Sequence, residues 1–426
     1  MSAPSLWRHR DFLRLWTAQS ISVVGDQITL VALPLAAVLT LDASAGQMGL
    51  LTAAAWAPHL FISLFAGAWI DRSSRRRSIM IAADLGRAVV LASVPLAALF
   101  DALTIEQLYA VALLLGCLTV LFDQSWTSLF ILIVPREQVV EANSKLSTTR
   151  AAAAVAGPGA AGGLVRLVTA PGAIVVDAAS FIVSALFLRG IKVREPTIEA
   201  DPTSLRRRIG EGFRWIRRND LYRVTVLGSS TINFFNFLFG ALVILFMSRE
   251  LGLGPGQIGV IFSAGAVGAL VGAPLAPLVA RRIGPGPAVV LGAFLFPAPL
   301  LLFPLASGPE PVVFVLLIAA EFLASVGVMI FDVNQNSIMS LIVPYRLRGR
   351  VSGASRFFNY GTRPLGALAG GALGSTLGLR PALWIGAAGA VLGVLWYLFS
   401  PMRTLSEQPP LADDVLSAPQ PPEGSR

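Results

Sequence analysis

Two stretches of the chain, FDQSWTSLFILIVP at residues 122–135 and FDVNQNSIMSLIVP at residues 331–344, repeat one another at a spacing of 209 residues. The same spacing superposes Gly157 on Gly366. A further match joins GQMGLL at residues 46–51 to GQIGVI at residues 256–261, at a spacing of 210, one residue longer than that of the first match. Chance explains one such match but not several in the same order. The chain is therefore an internal duplication, built from two related halves.

The composition is that of an integral membrane protein. Of the 426 residues, 55% are hydrophobic and 13% are charged, and the mean hydropathy is +0.71. An ordinary soluble domain carries about 25% charged residues, and a helix needs about 20 apolar residues to cross a bilayer. We predict an all-α membrane protein with twelve transmembrane helices in two repeat-related six-helix halves. The predicted spans are residues 12–41, 46–70, 78–99, 105–133, 141–167, 170–189, 222–248, 256–280, 286–306, 311–341, 348–375 and 379–400.

Polar segments divide the chain into four parts. Residues 1–189 form the N-terminal half, 190–221 a basic linker, 222–400 the C-terminal half, and 401–426 a Pro-rich tail with the composition of a disordered end. Arginines collect in the linker and in alternate loops, as they do on the cytoplasmic side of membrane proteins. We therefore place both termini in the cytoplasm. The preference for Arg over Lys is typical of a high-GC bacterium, which suggests the bacterial cytoplasmic membrane.

Several classes of function lack their signatures. The single cysteine, Cys117, and the histidines His9 and His59 are not spaced as a metal site, and neither Lys145 nor Lys192 follows a glycine-rich phosphate loop. We expect no metal, no cofactor and no ATP-driven step. The net charge of +9 is explained by the basic loops near anionic lipid headgroups, so nucleic-acid binding is not expected.

The segment GAWIDRSSRRR, residues 67–77, closes the predicted second span. It resembles the signature loop of the major facilitator superfamily, in which Gly, three residues and Asp-Arg precede further basic residues. The resemblance implies a charge latch at the cytoplasmic face, where an aspartate pairs with arginines across the two halves. A basic topology anchor is the alternative, but it does not explain the fixed distance between the glycine and the aspartate. The latch residues are Gly67, Asp71, Arg72, Arg75 and Arg76.

The predicted fifth span carries AGPGAAGG, residues 156–163. It resembles the Gly-Pro-x-x-Gly-Gly motif of exporters in the same superfamily, with Ala161 in place of one glycine. Gly157 and Gly162 permit close helix approach, and Pro158 removes a backbone hydrogen bond so that the helix can bend. An ordinary tight helix crossing is the alternative.

Three further segments are similar to the enterobactin-exporter-like and macrolide-efflux-like subgroup of drug:proton antiporters. They are ADLGRA at 83–88, VPREQVVEANS at 134–144 and DAASFIVSALFL at 177–188. The resemblance covers residues 7–400 and implies transport without covalent chemistry. The fourth span, however, lacks the arginine that many proton-coupled drug antiporters carry there.

Charged residues inside a span are costly unless they face a partner or a water-filled cavity. The repeat-related Asp123 and Asp332 lie in the cytoplasmic halves of their spans. We expect them to form the cytoplasmic gate by pairing with Arg150 or Arg356.

The other intramembrane charges are assigned by depth and spacing. Asp84 and Arg87 share a helix face and are expected to form a local structural pair, and Asp177 is expected to be structural as well. Glu321 and Arg363, on neighbouring spans, are either a buried pair or part of the binding site.

A central cavity is expected around the first and seventh spans. Asp26 interrupts the apolar run ISVVGDQITLVALPL with no basic residue within one turn, and the spacing of 210 places Asn236 opposite it. We assign Asp26 to proton coupling; pairing with a substrate cation and a hydrogen bond to a neighbouring helix are the alternatives. Phe234 and Phe235 are also expected at the cavity, and contact with lipid is the alternative for each of them. The expected cavity residues are Gln27, Trp126, Asn233, Phe234, Phe235, Asn236, Glu321, Gln335 and Arg363.

These observations favour a secondary active exporter of a small amphiphilic compound, such as an antibiotic or a siderophore, working by proton antiport and alternating access. Its expected partners are the substrate, protons and membrane lipids, and we expect it to act as a monomer. A lipid or nutrient carrier of the same fold is one alternative, and a non-transporting receptor or scaffold is another. The direction of flux separates the first two, and the absence of flux favours the third.

The substitution Asp71→Asn tests the latch. It removes the carboxylate that the latch needs and leaves the arginines that fix topology, so transport should slow several-fold at unchanged membrane insertion. The measurement is substrate flux normalised to protein in the membrane. Wild-type flux in this variant would reduce the loop to an anchor.

Overall fold

The structure, a computed structural model, describes residues 6–71, 73, 75–193, 195 and 205–410. These residues form helices and no β-strand. The first half contains α1 (Arg10–Leu39), α2 (Ala45–Asp71), α3 (Arg76–Leu99), α4 (Ile105–Ile133), α5 (Val139–Val168) and α6 (Ala170–Arg189). The linker contains α7 (Leu205–Arg218). The second half contains α8 (Asp220–Arg249), α9 (Pro255–Ile283), α10 (Pro285–Leu295), α11 (Leu302–Leu305), α12 (Glu310–Ile342), α13 (Arg348–Leu377), α14 (Leu379–Leu392) and α15 (Leu395–Leu398).

Ten helical segments of the described chain are long and apolar enough to cross a membrane. Two further long helices, α2 and α13, pack against each other and complete the predicted twelve. The ninth predicted span is not one helix, since α10 and α11 are separated by a 3-10 turn. Pro297 and Pro299, which lack the backbone N–H that a continuous helix needs, account for the break. The twelfth is likewise divided into α14 and α15.

The most extensive contacts between the two halves are those of two helix pairs, α5 with α9 and α2 with α13. In the first pair, a Cβ atom on Gly162 would overlap the carbonyl oxygen of Pro255. One on Gly259 would overlap the carbonyl oxygen of Pro158. Glycine is therefore required at both positions for the backbones to approach this closely.

The second pair repeats this contact. Gly371 lies against the backbone of Ala45 and Gly46, and Gly49 lies against the carbonyl oxygen of Ala367. Gly371 and Ala367 stand 209 positions after Gly162 and Pro158 of the first pair. We call the two crossings the glycine seams. The helices of the seams thus carry two of the repeated features, the GQMGLL and GQIGVI segments and the matched Gly157 and Gly366.

Further contacts show at which end of the bundle the halves meet. We call the end that carries α7 the linker end and the opposite end, at residues 40–44 and 250–254, the far end. At the far end, Arg249 forms an ion pair with Asp42 of the other half, and buried apolar residues of α1 and α8 form one cluster. The clusters nearer the linker end each draw on one half, or on one half and α7. The halves are thus joined at the far end and separate toward the linker end.

The ends of the polar segments differ in part from their prediction. Residues 401–410 are ordered, because Met402 is buried and the carbonyl of Leu405 accepts the N–H of Gly286 at 3.0 Å. The rest of the predicted disordered tail, 411–426, lies outside the described residues. In the linker, Glu211 of α7 forms an ion pair with Arg350 of α13.

The seams predict a sharp difference between two neighbouring glycines of α5. Gly162→Ala forces a methyl group into the Pro255 carbonyl, and such overpacking costs about 1–3 kcal/mol. Gly163→Ala meets nothing within 4 Å, and Ala favours a helix. Thermal unfolding of the purified protein should therefore show a lower midpoint for Gly162→Ala and an unchanged or higher one for Gly163→Ala. Equal midpoints would mean that the seam is not tight.

Candidate functional site

The first half encloses a cavity of about 630 Å³ among α1, α3, α4 and α5. We call it the acidic cavity. It brings together five residues that the sequence assigns to the site or the gate: Asp26, Gln27, Asp123, Trp126 and Arg150. The guanidinium carbon of Arg150 lies 5.2 Å from the ring centre of Trp126. Asp26 and Asp123 line this cavity, and the side chain of neither forms a hydrogen bond or an ion pair with the described residues.

Arg87 also lines the acidic cavity. As predicted, it forms an ion pair with Asp84, and both side chains are almost completely buried. Ser184 donates a hydrogen bond of 2.7 Å to the same carboxylate. The rings of Phe122 and Phe181 stack on the guanidinium at 4.4 and 4.1 Å. We predicted the pair from the sequence, but not that Arg87 lines the cavity. The rotation of α3 about its axis decides which residues face the cavity, and that rotation is set by packing.

Arg87 is the cation that several buried carboxylates share. Asp26, Asp84, Asp123 and Asp177 all interact with it electrostatically. Asp177 does not line the cavity.

Asp177 is instead held by hydrogen bonds. Its carboxylate accepts one from Thr29 and one of 3.0 Å from Ser180. A Cβ atom on Gly25 would collide with Asp177, so α1 can approach α6 only because glycine stands at that position. This agrees with the structural role expected for Asp177.

A second cavity, of about 460 Å³, lies between the halves. We call it the apolar cavity. Trp56, Phe237 and Phe262 line it, and so does Asn236, which the sequence placed at the site. Gln27 and Ala154 line both this cavity and the acidic cavity. A polar compartment and an apolar compartment therefore adjoin.

A third cavity, of about 370 Å³, lies between α4 and α13. We call it the gate cavity. Asp123 of the first half and Arg356 of the second both line it, and His59 and Tyr360 complete part of its wall. The two charges of the predicted gate therefore face one space, and no ion pair joins them within the described chain. The second predicted gate acid, Asp332, interacts electrostatically with Arg363.

Six expected cavity residues do not line these three cavities: Asn233, Phe234, Phe235, Glu321, Gln335 and Arg363. Gln335 accepts hydrogen bonds from Ser229 at 3.3 Å and from Tyr397 at 3.1 Å. Asn233 donates to the Ser229 carbonyl at 2.8 Å and to Asn359 at 3.2 Å. Both amides thus belong to the packing of the second half.

The phenylalanines Phe234 and Phe235 also lie elsewhere. Phe235 packs against Gly389 of α14, and Phe234 packs edge-to-face against Phe235 with ring centres 5.2 Å apart. The aromatic side chain that residues 233–239, NFFNFLF, contribute to the cavity wall is Phe237. Helical rotation explains the difference, because neighbouring residues point about 100° apart.

The possible pair of Glu321 and Arg363 does not form. Glu321 lies against Gly265 of α9, and no hydrogen bond or ion pair of the described chain joins it to Arg363. The guanidinium of Arg363 is surrounded instead by Trp56, Tyr360 and Phe237. These three rings were not predicted at the site, since they come from three different helices.

The two sequence motifs are described to different extents. Gly157 of the fifth-span motif lies against the side chain of Gln27, and α5 continues through Pro158 as one helix. In the latch loop, Arg72 and the surroundings of Gly67 and Asp71 lie outside the described residues. Arg75 is exposed and Arg76 is buried, at the start of α3.

The linker supplies contacts to this loop. The carboxylate of Glu195 accepts the backbone N–H groups of Arg76 and Arg77, the latter at 3.1 Å. The N-terminus of α3 is thereby capped from within the first half and its linker. A partner of Asp71 in the other half stays a prediction.

Comparison with known proteins identifies the family. A family model of the major facilitator superfamily, described as transmembrane secretion effector, matches residues 1–421. The chain belongs to this family. It is a membrane transporter and not an enzyme.

The relatives and the solved structures agree with this assignment. The multidrug efflux pump Tap of Mycobacterium tuberculosis H37Rv is 28% identical over 85% of this chain and 87% of its own. An MFS-type transporter of Bacillus subtilis, YfiS, is 23% identical over 90% and 92%. The nucleoside transporter NupG superposes with a TM-score of 0.76 at 13% identity, over 91% of this chain and 99% of its own. A bacterial ferroportin homologue in an inward-facing state gives 0.75 at 16%, over 93% and 99%.

The buried pair beside the acidic cavity yields a stability prediction. Asp84→Asn leaves the charge of Arg87 buried without its carboxylate, and breaking such a pair costs about 3–5 kcal/mol. The double variant Asp84→Asn/Arg87→Met also removes the orphaned charge. Its thermal unfolding midpoint should therefore lie above that of Asp84→Asn. A double variant no more stable than the single one would contradict this account.

Proposed function

We propose that this transporter is a secondary active exporter of a small amphiphilic compound, driven by protons, in the bacterial cytoplasmic membrane with both termini in the cytoplasm. The observation that carries the proposal is Asp26, a carboxyl group without a bonded partner, in the wall of a cavity that adjoins an apolar one. An amphiphile needs both environments. The name of its relative Tap supports export.

Asp26 fits proton coupling for two reasons. No hydrogen bond or ion pair of the described chain holds it in one protonation state. It also shares the field of Arg87 with three other carboxyl groups, so a proton on one changes the interactions of the others. Trp126 and Arg150 offer further contacts for a polar group of the substrate in the same wall.

Alternating access follows from the two ends of the bundle. The glycine seams close the far end, which we take as the extracellular side. At the linker end, Asp123 and Arg356 face each other across the gate cavity. When the halves rock, these charges approach and close the cytoplasmic side. The protein works as a monomer with substrate, protons and lipids as its partners.

The test is transport into inside-out vesicles with an imposed pH gradient and a fluorescent amphiphile such as ethidium as the probe. Asp26→Asn should still exchange the probe across the membrane but lose gradient-driven accumulation at least tenfold. Asp220→Asn, which removes an exposed carboxylate at the linker end, is the matched control and should accumulate the probe like wild type.

Other outcomes count against the proposal. If Asp26→Asn responds fully to the pH gradient, Asp26 is not the coupling residue. If wild type drives the probe out of inside-out vesicles, the direction is import, and a nutrient carrier is favoured.

A further inference from the structure

Three aromatic rings surround the guanidinium of Arg363. Its guanidinium carbon lies 4.4 Å from the ring centre of Trp56, 4.6 Å from that of Tyr360 and 5.1 Å from that of Phe237. Within the described chain it forms no hydrogen bond and no ion pair, and its Nε atom is buried. A guanidinium has five N–H donors, all in its plane. The rings therefore interact with the cation and leave every donor unused.

Arg87 shows what a structural arginine looks like in the same protein. It is stacked between two rings as well, but the edge of its guanidinium is taken by Asp84. The comparison of Arg87 with Arg363 distinguishes two roles of the groups around a buried guanidinium. Aromatic faces fix the plane of a guanidinium, and an oxygen partner at the edge satisfies its donors. Arg363 has aromatic rings around it, but within the described chain it has no oxygen partner for its donors.

The rings around Arg363 belong to the cavity walls. Trp56 and Phe237 line the apolar cavity, and Tyr360 lines the gate cavity. Trp56 comes from the first half, whereas Phe237, Tyr360 and Arg363 come from the second. Arg363 thus stands between two compartments that a substrate meets, and one of its covering rings moves with the opposite half.

We propose that the free edge of Arg363 binds an acidic oxygen group of the transported amphiphile, such as a carboxylate or a sulfonate. A planar pair of oxygen atoms accepts two parallel N–H bonds from one guanidinium edge. The exchange of water for these bonds is favourable in a poorly solvated wall. The inference rests on the proposed function, because it names a group that the exported compound carries. Acidic amphiphiles, and amphoteric ones whose cationic part meets Asp26 and Asp123, are the substrate class.

The experiment is equilibrium binding to the purified protein in phosphatidylcholine nanodiscs, with protein-free nanodiscs as background. Two fluorescent probes share an anilinonaphthalene frame: 1-anilinonaphthalene-8-sulfonate has an acidic group, and N-phenyl-1-naphthylamine has none. In Arg363→Gln the Kd of the sulfonate should rise about tenfold or more, the loss expected for a charge-assisted bond. The Kd of the neutral probe should stay within twofold.

Three further variants distinguish hydrogen bonding by Arg363 from the effect of its positive charge alone. Arg346→Gln removes an exposed cation that shortly precedes the same helix and lines none of the three cavities, and should change the Kd of the sulfonate less than threefold. Arg363→Lys keeps the charge but not the two-donor edge, and should weaken the sulfonate and spare the neutral probe. Asp332→Asn removes the carboxylate that acts on Arg363 electrostatically, and should bind the sulfonate at least as tightly as wild type.

Three results would overturn the proposal: an unchanged Kd of the sulfonate in Arg363→Gln, an equal loss for both probes, or an equal loss in Arg346→Gln. Weaker sulfonate binding in Asp332→Asn would also overturn it, because removing a nearby negative charge should not weaken an anion site at Arg363. No pH gradient and no flux enter this measurement. Failure of the export proposal in vesicles is therefore distinguishable from failure of the anion site.

Discussion

The close approach of four helix backbones at the glycine seams is the constraint on which the rest of the structure depends. Helices in a membrane gain little from hydrophobic burial against each other, so their contact relies on van der Waals packing at small residues. Gly162 with Pro255 and Gly371 with Ala45 supply this packing twice, at repeat-related positions. Because both seams join the halves at the far end, the cavities are left between and beside the halves toward the linker end. In the proposed transport cycle, the linker end is therefore the end that opens and closes.

The repeat also shows where the halves have diverged, and the divergence falls on the site. Asp123 and Asp332 correspond at the spacing of 209, but the position equivalent to Arg363 is Ala154, and that equivalent to Arg87 is Phe296. Ala154 is the small residue at the junction of the acidic and apolar cavities. One half therefore supplies carboxyl groups around a paired arginine, and the other supplies an arginine that has no ion pair within the described chain. The repeat gives the two halves the same helical scaffold. The positions at which the repeat is lost give one half a wall with carboxyl groups and the other half an arginine among aromatic rings.

Sequence reasoning predicted the helical fold, the duplication and the spans because these depend on composition and on spacing along the chain. It also placed Asp26, Gln27, Trp126 and Asn236 at the cavities. It failed for Phe234 and Phe235, and it did not find Trp56 or Tyr360. The reason is that a transmembrane helix is apolar both toward lipid and toward the protein, so the hydrophobic pattern that gives the rotation of a soluble helix is weak here. The neighbours of Arg363 come from α2, α8 and α13, and only the packing of the halves brings them together.

The contrast between the two stacked arginines bears on how the protein tolerates charge in a bilayer. An ionised group inside the membrane costs several kcal/mol, and proteins offset that cost by pairing or by access to water. Arg87 is paired with Asp84 on the same helix, so this ion pair does not depend on how the two halves are placed. The aromatic shell of Arg363 includes Trp56 from the opposite half, so its offset changes whenever the halves move. The free-energy cost of the Arg363 charge therefore depends on the conformation of the transporter. A group that binds at the edge of Arg363 more tightly in one conformation shifts the population toward that conformation.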